Sequence, residues 1–241
     1  MADLDFGPNS TWFEGEGDVL VSGGKPATHN GFTEYLTTSR KKESRPYLQR
    51  ILACVSDEFE SNPDVAGNGF KLFVTGHSLG AGLANLFAFR VAQLKAKGDE
   101  STKFLPDRIK ALTFAAPCSG NEDFNKEFQV LEKQGFLRHI RISNEGDVVP
   151  TNNIMVPFSF LFTGDTSLYT QNGVNLFLKN EGKLETHYRN TLTMSSQFSL
   201  ISSLGCHMVD EYCRRVEFPE NKDVYQQTLE EIYKAAGDFT A

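Results

Sequence analysis

The sequence predicts an α/β fold, a mostly parallel central sheet flanked by helices, on three observations. Short apolar runs rich in β-branched and aromatic residues alternate with longer stretches of helical periodicity. No internal repeat or low-complexity linker interrupts that alternation, which is the pattern of helices packed on a mostly parallel sheet. Between the run Phe70-Lys71-Leu72-Phe73-Val74-Thr75 and the helical stretch 83–92 stands Gly76-His77-Ser78-Leu79-Gly80-Ala81, a tight turn from strand to helix.

Residues 18–22 read as a short strand. Residues 31–60 read as helix, with Tyr35, Leu36, Tyr47, Leu48, Ile51, Leu52, Val55 and Phe59 close to one face. The cluster Arg40-Lys41-Lys42-Glu43-Ser44-Arg45-Pro46 breaks it, and Pro46 starts a second helix because its fixed φ suits the first turn. That basic run reads as a solvated face more readily than as a contact for lipid headgroups. Strand 70–75 and helix 83–92 follow, then strand 108–115, helix 123–133 and strand 137–143. Residues 169–193 alternate as a β-hairpin, with Asn172-Gly173 and Glu181-Gly182 as turns. Residues 224–236 form a closing amphipathic helix.

The turn at Ser78 carries the chemistry. Gly-x-Ser-x-Gly between strand and helix lifts the serine above the sheet in a strained backbone conformation. The glycines at 76 and 80 are expected to remove side chains that would collide with strand and helix. His77 completes the turn, and the Leu79 amide lies at a helix start, where anionic charge is favoured.

A hydroxyl becomes a useful nucleophile when a neighbouring base takes its proton and a carboxylate orients that base. Three histidines follow Ser78. His139 lies within an apparent strand and reads as a packed or surface side chain. His187 falls in a charged, exposed-looking stretch. His207, in a loop before the helical residues 208–213, is the better base. The carboxylate should leave the end of strand 137–143, in Asn144-Glu145-Gly146-Asp147-Val148-Val149-Pro150. Asp147, beside Gly146 and the apolar Val148-Val149-Pro150, should be partly buried and needs a partner such as an imidazole N–H. Glu145 and Asp165 compete with it, Glu145 being nearer the solvated tip of the loop.

At this point the residues resemble the class 3, fungal-type triacylglycerol lipase family of α/β-hydrolases. Gly76 to Ala81 is similar to its nucleophile turn. His29-Asn30-Gly31-Phe32 looks like its His-x-Gly-Phe, and Leu112-Thr113-Phe114-Ala115-Ala116-Pro117-Cys118-Ser119-Gly120-Asn121 resembles its Thr-Phe-Gly-x-Pro-Arg-Val-Gly-Asn block. Asn144 to Pro150 is similar to its Asp-x-Val-Pro loop, and His207 with Tyr212 looks like its His-x4-Tyr ending. The resemblance runs from about residue 3 to 215 and departs at Cys118-Ser119, where the family carries a basic-apolar pair. It implies Ser78 as nucleophile, Asp147 as orienting acid, His207 as base and Leu79 as one oxyanion donor. It also implies a carboxylic ester hydrolase acting on lipid, without metal or cofactor.

The resemblance further implies a strand ending in Phe-Arg-Gly-Ser/Thr that supplies a second oxyanion donor, and residues 1–28 contain no such motif. One such donor is worth about 2.7–4 kcal/mol of barrier. The expectation is therefore one class 3 lipase-like domain over residues 1–241, truncated at its N-terminus relative to the family, with an apolar sheet edge beside the serine. A lipid-binding pseudoenzyme and a lipid acyltransferase remain as alternative readings.

The gross composition agrees. A chain of 241 residues with 39% hydrophobic content has room for one sizeable core. A net charge of −7 and a pI near 5.3 argue against nucleic acid or anionic membrane surfaces as partners. The expected partner is a lipid ester, met at a lipid–water interface. No run reaches the roughly 20 apolar residues of a membrane span, and no signal-peptide pattern follows Met1. If the front is missing, as the resemblance implies, that absence says nothing about secretion. Cys54, Cys118, Cys206 and Cys213 lack metal spacing, and a Cys206–Cys213 pairing stays open. Pro157-Phe158-Ser159-Phe160-Leu161-Phe162-Thr163 and the stretch around Phe198 fall between Asp147 and His207 in the chain. Phe158, Phe160, Phe162 and Phe198 are candidates for a substrate rim, against the alternative that these rings fill the core.

Overall fold

The computed structural model describes residues 7–15, 18–39, 43–64, 69–151, 169–189, 200–218 and 221–237. Its centre is a five-stranded sheet. The strands are β3 (Phe73–His77), β4 (Ile109–Phe114), β5 (Leu137–Asn144), β6 (Val174–Leu178) and β7 (Leu184–Tyr188), adjacent in that order. The first four run parallel, and β7 returns antiparallel to β6 as a hairpin. Glu181-Gly182 sits in its turn, while Asn172-Gly173 leads into β6 rather than turning between strands. A small antiparallel ribbon, β1 (Pro8–Asn9) with β2 (Thr28–His29), lies apart from the sheet.

The helices are α1 (Asn30–Thr37), α2 (Tyr47–Ser61), α3 (Leu79–Ala96), α4 (Glu122–Lys133), α5 (Leu200–His207), α6 (Val209–Val216), α7 (Lys222–Tyr225) and α8 (Leu229–Ala235). α3 is apolar nearly all round, and Leu86, Ala88, Phe89, Val91 and Ala92 are completely buried. A helix without a polar face belongs in the middle of a molecule. It packs with α4 and the inward residues of β4 into one core, which includes Phe124, Phe128, Ile109 and Leu131. A second core, with Ile140, Ile142, Val174, Leu176, Tyr212 and Tyr233, forms where α6 and α8 cover the sheet. All eight residues of β5 are buried, as a parallel strand covered on both faces requires.

Three further expectations need correction. Residues 18–22 form no strand, because the amides of Leu20 and Val21 donate to the Glu127 carboxylate at 2.7 and 2.8 Å instead of to a neighbouring strand. The closing helix is two helices. Thr228 restarts it with a reciprocal cap, its hydroxyl accepting from the Glu231 amide while the Glu231 carboxylate accepts from the Thr228 amide. His207 ends α5, whereas the sequence suggested a loop before a helix.

Beneath α8 lies a buried polar cluster. The Glu132 carboxylate accepts from the hydroxyls of Tyr188 and Tyr233, both at 2.7 Å, and Glu132 is fully buried. Burial pushes its pKa from 4.5 to about 7. His139 is buried too, bonded to Thr113 at 2.8 Å and Asn172 at 2.9 Å, and burial drives its pKa down to about 3, so it is neutral. Between pH 4.5 and about 7 the unfolded chain gives up the Glu132 proton while the folded chain keeps it. Stability should therefore fall as pH rises through that window, by on the order of 3 kcal/mol. Denaturant unfolding of the wild type and of Glu132→Gln from pH 5 to 8 checks this, since the variant should lose most of that slope.

Candidate active site

β3 delivers Ser78. The strand ends at His77, the chain turns, and α3 begins at Leu79. Ser78 has φ +57° and ψ −126°, a strained conformation for any residue with a side chain. The Ser78 amide donates to the Phe114 carbonyl at the end of β4 (3.0 Å), and its carbonyl accepts from the Ala81 amide (2.9 Å). These two bonds tie the turn to the sheet on one side and to the helix on the other.

The two glycines of the turn differ. A Cβ on Gly76 would stand 2.3 Å from the Gly80 carbonyl oxygen, so the close passage of strand and helix demands glycine there. A Cβ on Gly80 would meet nothing within 4 Å, which corrects the expectation that Gly80 also avoids a collision. Gly80→Ala should therefore fold normally and melt at the same temperature or a few degrees higher, because alanine is about 1 kcal/mol better than glycine inside a helix. Gly76→Ala should not fold to the same turn. Paired thermal melts of the two variants check this.

The loop after β5 delivers Asp147. Gly146, at φ +89°, turns the chain, and the Asp147 amide donates to the Asn144 carbonyl at 3.1 Å. Asp147 is 2% exposed, and its carboxylate has three partners. It accepts from Tyr212 Oη at 2.7 Å, from the Val149 amide at 2.9 Å and from His207 Nδ1 at 3.0 Å. A buried carboxylate held this way is satisfied as an anion. Tyr212 is itself locked, because its oxygen accepts from the Asn144 amide at 3.1 Å. Burial and the Asp147 charge hold the Tyr212 phenol well above its ordinary pKa, so it stays a donor.

The junction of α5 and α6 delivers His207. Its Nε2 lies 2.8 Å from Ser78 Oγ while Nδ1 faces Asp147, so the three side chains form one continuous hydrogen-bonded chain. The backbone here is pinned as well. His77 Nε2 donates to the His207 carbonyl at 2.9 Å, and Asn144 Nδ2 donates to the Cys206 carbonyl at 2.9 Å. Arg215, buried under the loop, donates to the carbonyls of Glu145 (3.0 Å) and Leu178 (3.1 Å).

Leu79 begins α3, so its amide is one of the first-turn N–H groups that have no acceptor within the helix. His139 and His187 are elsewhere, one buried beneath α8 and the other on β7 beside Glu185. Glu145 is turned to the hairpin, accepting from the Asn180 amide at 2.9 Å. Asp165 and the rim candidates Phe158, Phe160, Phe162 and Phe198 lie outside the described residues. Among the described residues, the large apolar side chains exposed near Ser78 and His207 in the chain are Leu79, Leu204, Met208 and Val209. Cys206 and Cys213 are both free thiols. Among the described residues no group of three or more His, Cys, Asp or Glu side chains gathers as a metal site, and no helix is long and apolar enough to cross a membrane.

Sequence reasoning assigned no role to Tyr212 or Arg215 and placed His77 only in the turn. Only the fold brings the Tyr212 hydroxyl under Asp147 and the His77 ring under the His207 carbonyl.

The family model described as Lipase (class 3) matches residues 2–156, well over half of the chain and inclusive of Ser78 and Asp147. The chain belongs to the class 3 lipase family. Among curated relatives, phospholipase A1-Igamma1, chloroplastic, of Arabidopsis thaliana is 35% identical over 101 residues, 42% of this chain and 18% of the relative. Phospholipase A1-II 5 of Oryza sativa subsp. indica is 37% identical over 142 residues, 55% of this chain and 28% of the relative. This class 3 lipase chain thus matches less than a third of the length of either relative. Among solved structures, the triacylglyceride lipase of Rhizomucor miehei superposes with a TM-score of 0.53 at 21% identity, over 84% of this chain and 64% of that one. Lipase II from Rhizopus niveus gives 0.53 at 20% identity, over 86% and 63%. The class 3 lipase chain therefore has the α/β-hydrolase fold, with its mostly parallel sheet and flanking helices. β3, which leads into Ser78, is the edge strand of that sheet among the described residues, and Phe73 on it is 59% exposed.

Proposed function

We propose that this chain hydrolyses carboxylic esters of lipids, with Ser78 as nucleophile, His207 as general base and Asp147 as orienting carboxylate. The observation that carries this reading is the unbroken chain from Ser78 Oγ through the His207 ring to Asp147, at 2.8 and 3.0 Å. Ser78 Oγ attacks the ester carbonyl while His207 Nε2 takes its proton. The Leu79 N–H donates to the oxyanion of the tetrahedral intermediate. The imidazolium then protonates the leaving alcohol, and an acyl-serine remains. Water, deprotonated by the same nitrogen, releases the fatty acid and restores Ser78.

Membership of the class 3 lipases and the phospholipase A1 names of the relatives support a lipid ester as substrate. The test follows fatty-acid release from triacylglycerol emulsion and from phosphatidylcholine micelles by pH-stat. Release that disappears with Ser78→Ala is expected. No release from a folded sample would support a lipid-binding pseudoenzyme. Transfer of the acyl group to an added alcohol without free acid would support an acyltransferase.

A further inference from the structure

The base is held by contacts that take no part in the reaction. His207 is the last residue of α5, and the last carbonyls of a helix have no N–H of their own helix to accept from. Two strand ends of the sheet supply the missing donors. Asn144, the last residue of β5, donates from Nδ2 to the Cys206 carbonyl at 2.9 Å. His77, the last residue of β3, reaches the His207 carbonyl through Nε2, also at 2.9 Å. A carbonyl oxygen only accepts, so Nε2 of His77 carries the hydrogen.

These donors stand one residue before Ser78 and three residues before Asp147, so the strands that place nucleophile and carboxylate also place the backbone of the base. His77 touches the ring of the base as well. Its ring centre lies 4.8 Å from that of His207, at an interplanar angle of 40°, and 5.8 Å from that of Tyr212, at 79°. It is thus in ring contact with the base and with the phenol that donates to Asp147. The backbone behind it is fixed, because His77 pairs with Phe114 of β4 and the next amide, of Ser78, donates to the Phe114 carbonyl.

The hydrogen bonds of the His207 ring do not suffice to hold it through a turnover. The 2.8 Å bond to Ser78 Oγ is lost once that oxygen bonds to the acyl carbon, and the same nitrogen must then serve the leaving alcohol and the incoming water. The bond to Asp147 remains, and a single bond leaves a ring free to pivot about it. A misplacement of about 1 Å costs roughly a hundredfold in rate. The bond from His77 persists throughout, since neither its donor nor its acceptor changes partners. We propose that His77 is a positioning residue for the base: it ties the end of α5 to β3, so that the His207 ring keeps its orientation after Ser78 has left it. The kinetic consequence rests on the hydrolase reading above; the placement of the ring does not.

Three substitutions test this, with folding checked by circular dichroism. His77→Phe keeps a ring and removes the donor. His77→Gln removes the ring and keeps an N–H at the reach of Nε2, and His77→Asn shortens that reach by one methylene. On p-nitrophenyl butyrate, a soluble ester, His77→Phe and His77→Asn should lower kcat about a hundredfold at unchanged KM, and His77→Gln should recover most of that loss. The proton NMR signal of the His207 Nδ1 hydrogen, moved far downfield by its bond to Asp147, is the second readout. It should stay in place in His77→Gln and shift or broaden in His77→Phe and His77→Asn. An unchanged kcat in His77→Phe and His77→Asn, a loss that falls on KM instead, or a His77→Gln no better than His77→Asn would overturn the proposal. So would a downfield signal that none of the three moves. His77→Gln and His77→Asn differ by one methylene, so their comparison decides even if His77→Phe does not fold. A wild type that cleaves no ester would remove the hydrolase reading, and the downfield signal would then decide the placement of the ring by itself.

Discussion

Ser78→Ala is expected to lower lipid-ester turnover on the order of a million-fold, and adding His207→Ala should remove almost nothing more. The loss corresponds to about 8 kcal/mol of barrier. The non-additivity follows from the geometry. Ser78 Oγ and His207 Nε2 share one hydrogen bond of 2.8 Å, and the proton that leaves one arrives on the other. A base without its nucleophile has nothing to deprotonate, and a hydroxyl without its base is an ordinary alcohol. Whatever rate survives in either single variant comes from substrate binding and the Leu79 amide, which neither change touches. Initial rates of fatty-acid release by the two single variants and the double variant check this. Additive losses, each multiplying the other, would mean that the two side chains act independently.

Asp147→Asn should cost about ten-thousand-fold in kcat, or about 5 kcal/mol, with little change in fold. An amide keeps one acceptor oxygen and gains two N–H donors, and one of those must face either Tyr212 Oη or His207 Nδ1. Facing the histidine, it favours the tautomer with its hydrogen on Nε2, which cannot take the serine proton. Tyr212→Phe should be milder. It leaves the Asp147 charge in place but removes the 2.7 Å bond and strands the Asn144 amide that Tyr212 satisfies. A buried donor left unpaired costs about 1–3 kcal/mol of stability. Turnover should fall roughly tenfold as the carboxylate loses one of its three fixed partners. Measuring kcat and the denaturation midpoint for both variants separates the two effects, since Asp147→Asn should move chiefly kcat and Tyr212→Phe should move both.

What the sequence disclosed followed how local the signal was. The nucleophile turn is contained in six residues whose strand and helix context adjoin it, so Ser78 was legible at once. Asp147 and His207 needed chain order and loop position, which also favoured His207 over His187, and the family resemblance agreed with that choice. Interactions that close over a long span of chain were not legible. Residues 18–22 have the alternation of a strand, yet Glu127, more than a hundred residues away, takes the Leu20 and Val21 amides and leaves nothing for a ladder. Gly80 looked constrained because the motif contains it, whereas the space beside its Cα shows that Gly76 alone bears the crowding. Tyr212 entered the sequence reading only through the His-x4-Tyr resemblance and His77 only as part of the turn, neither with a role. Their placement depends on α6 lying over the end of β5 and on the end of α5 reaching the end of β3, which no local pattern encodes.

The most direct measurement is covalent labelling of the intact chain with a fluorophosphonate, followed by peptide mass spectrometry. An activated serine should yield one adduct on the peptide carrying Ser78, lost in Ser78→Ala and also in His207→Ala, where the hydroxyl remains but its base is gone. A folded chain that takes no label, or labels at Ser78 equally well without His207, would contradict the proposal that His207 activates this hydroxyl.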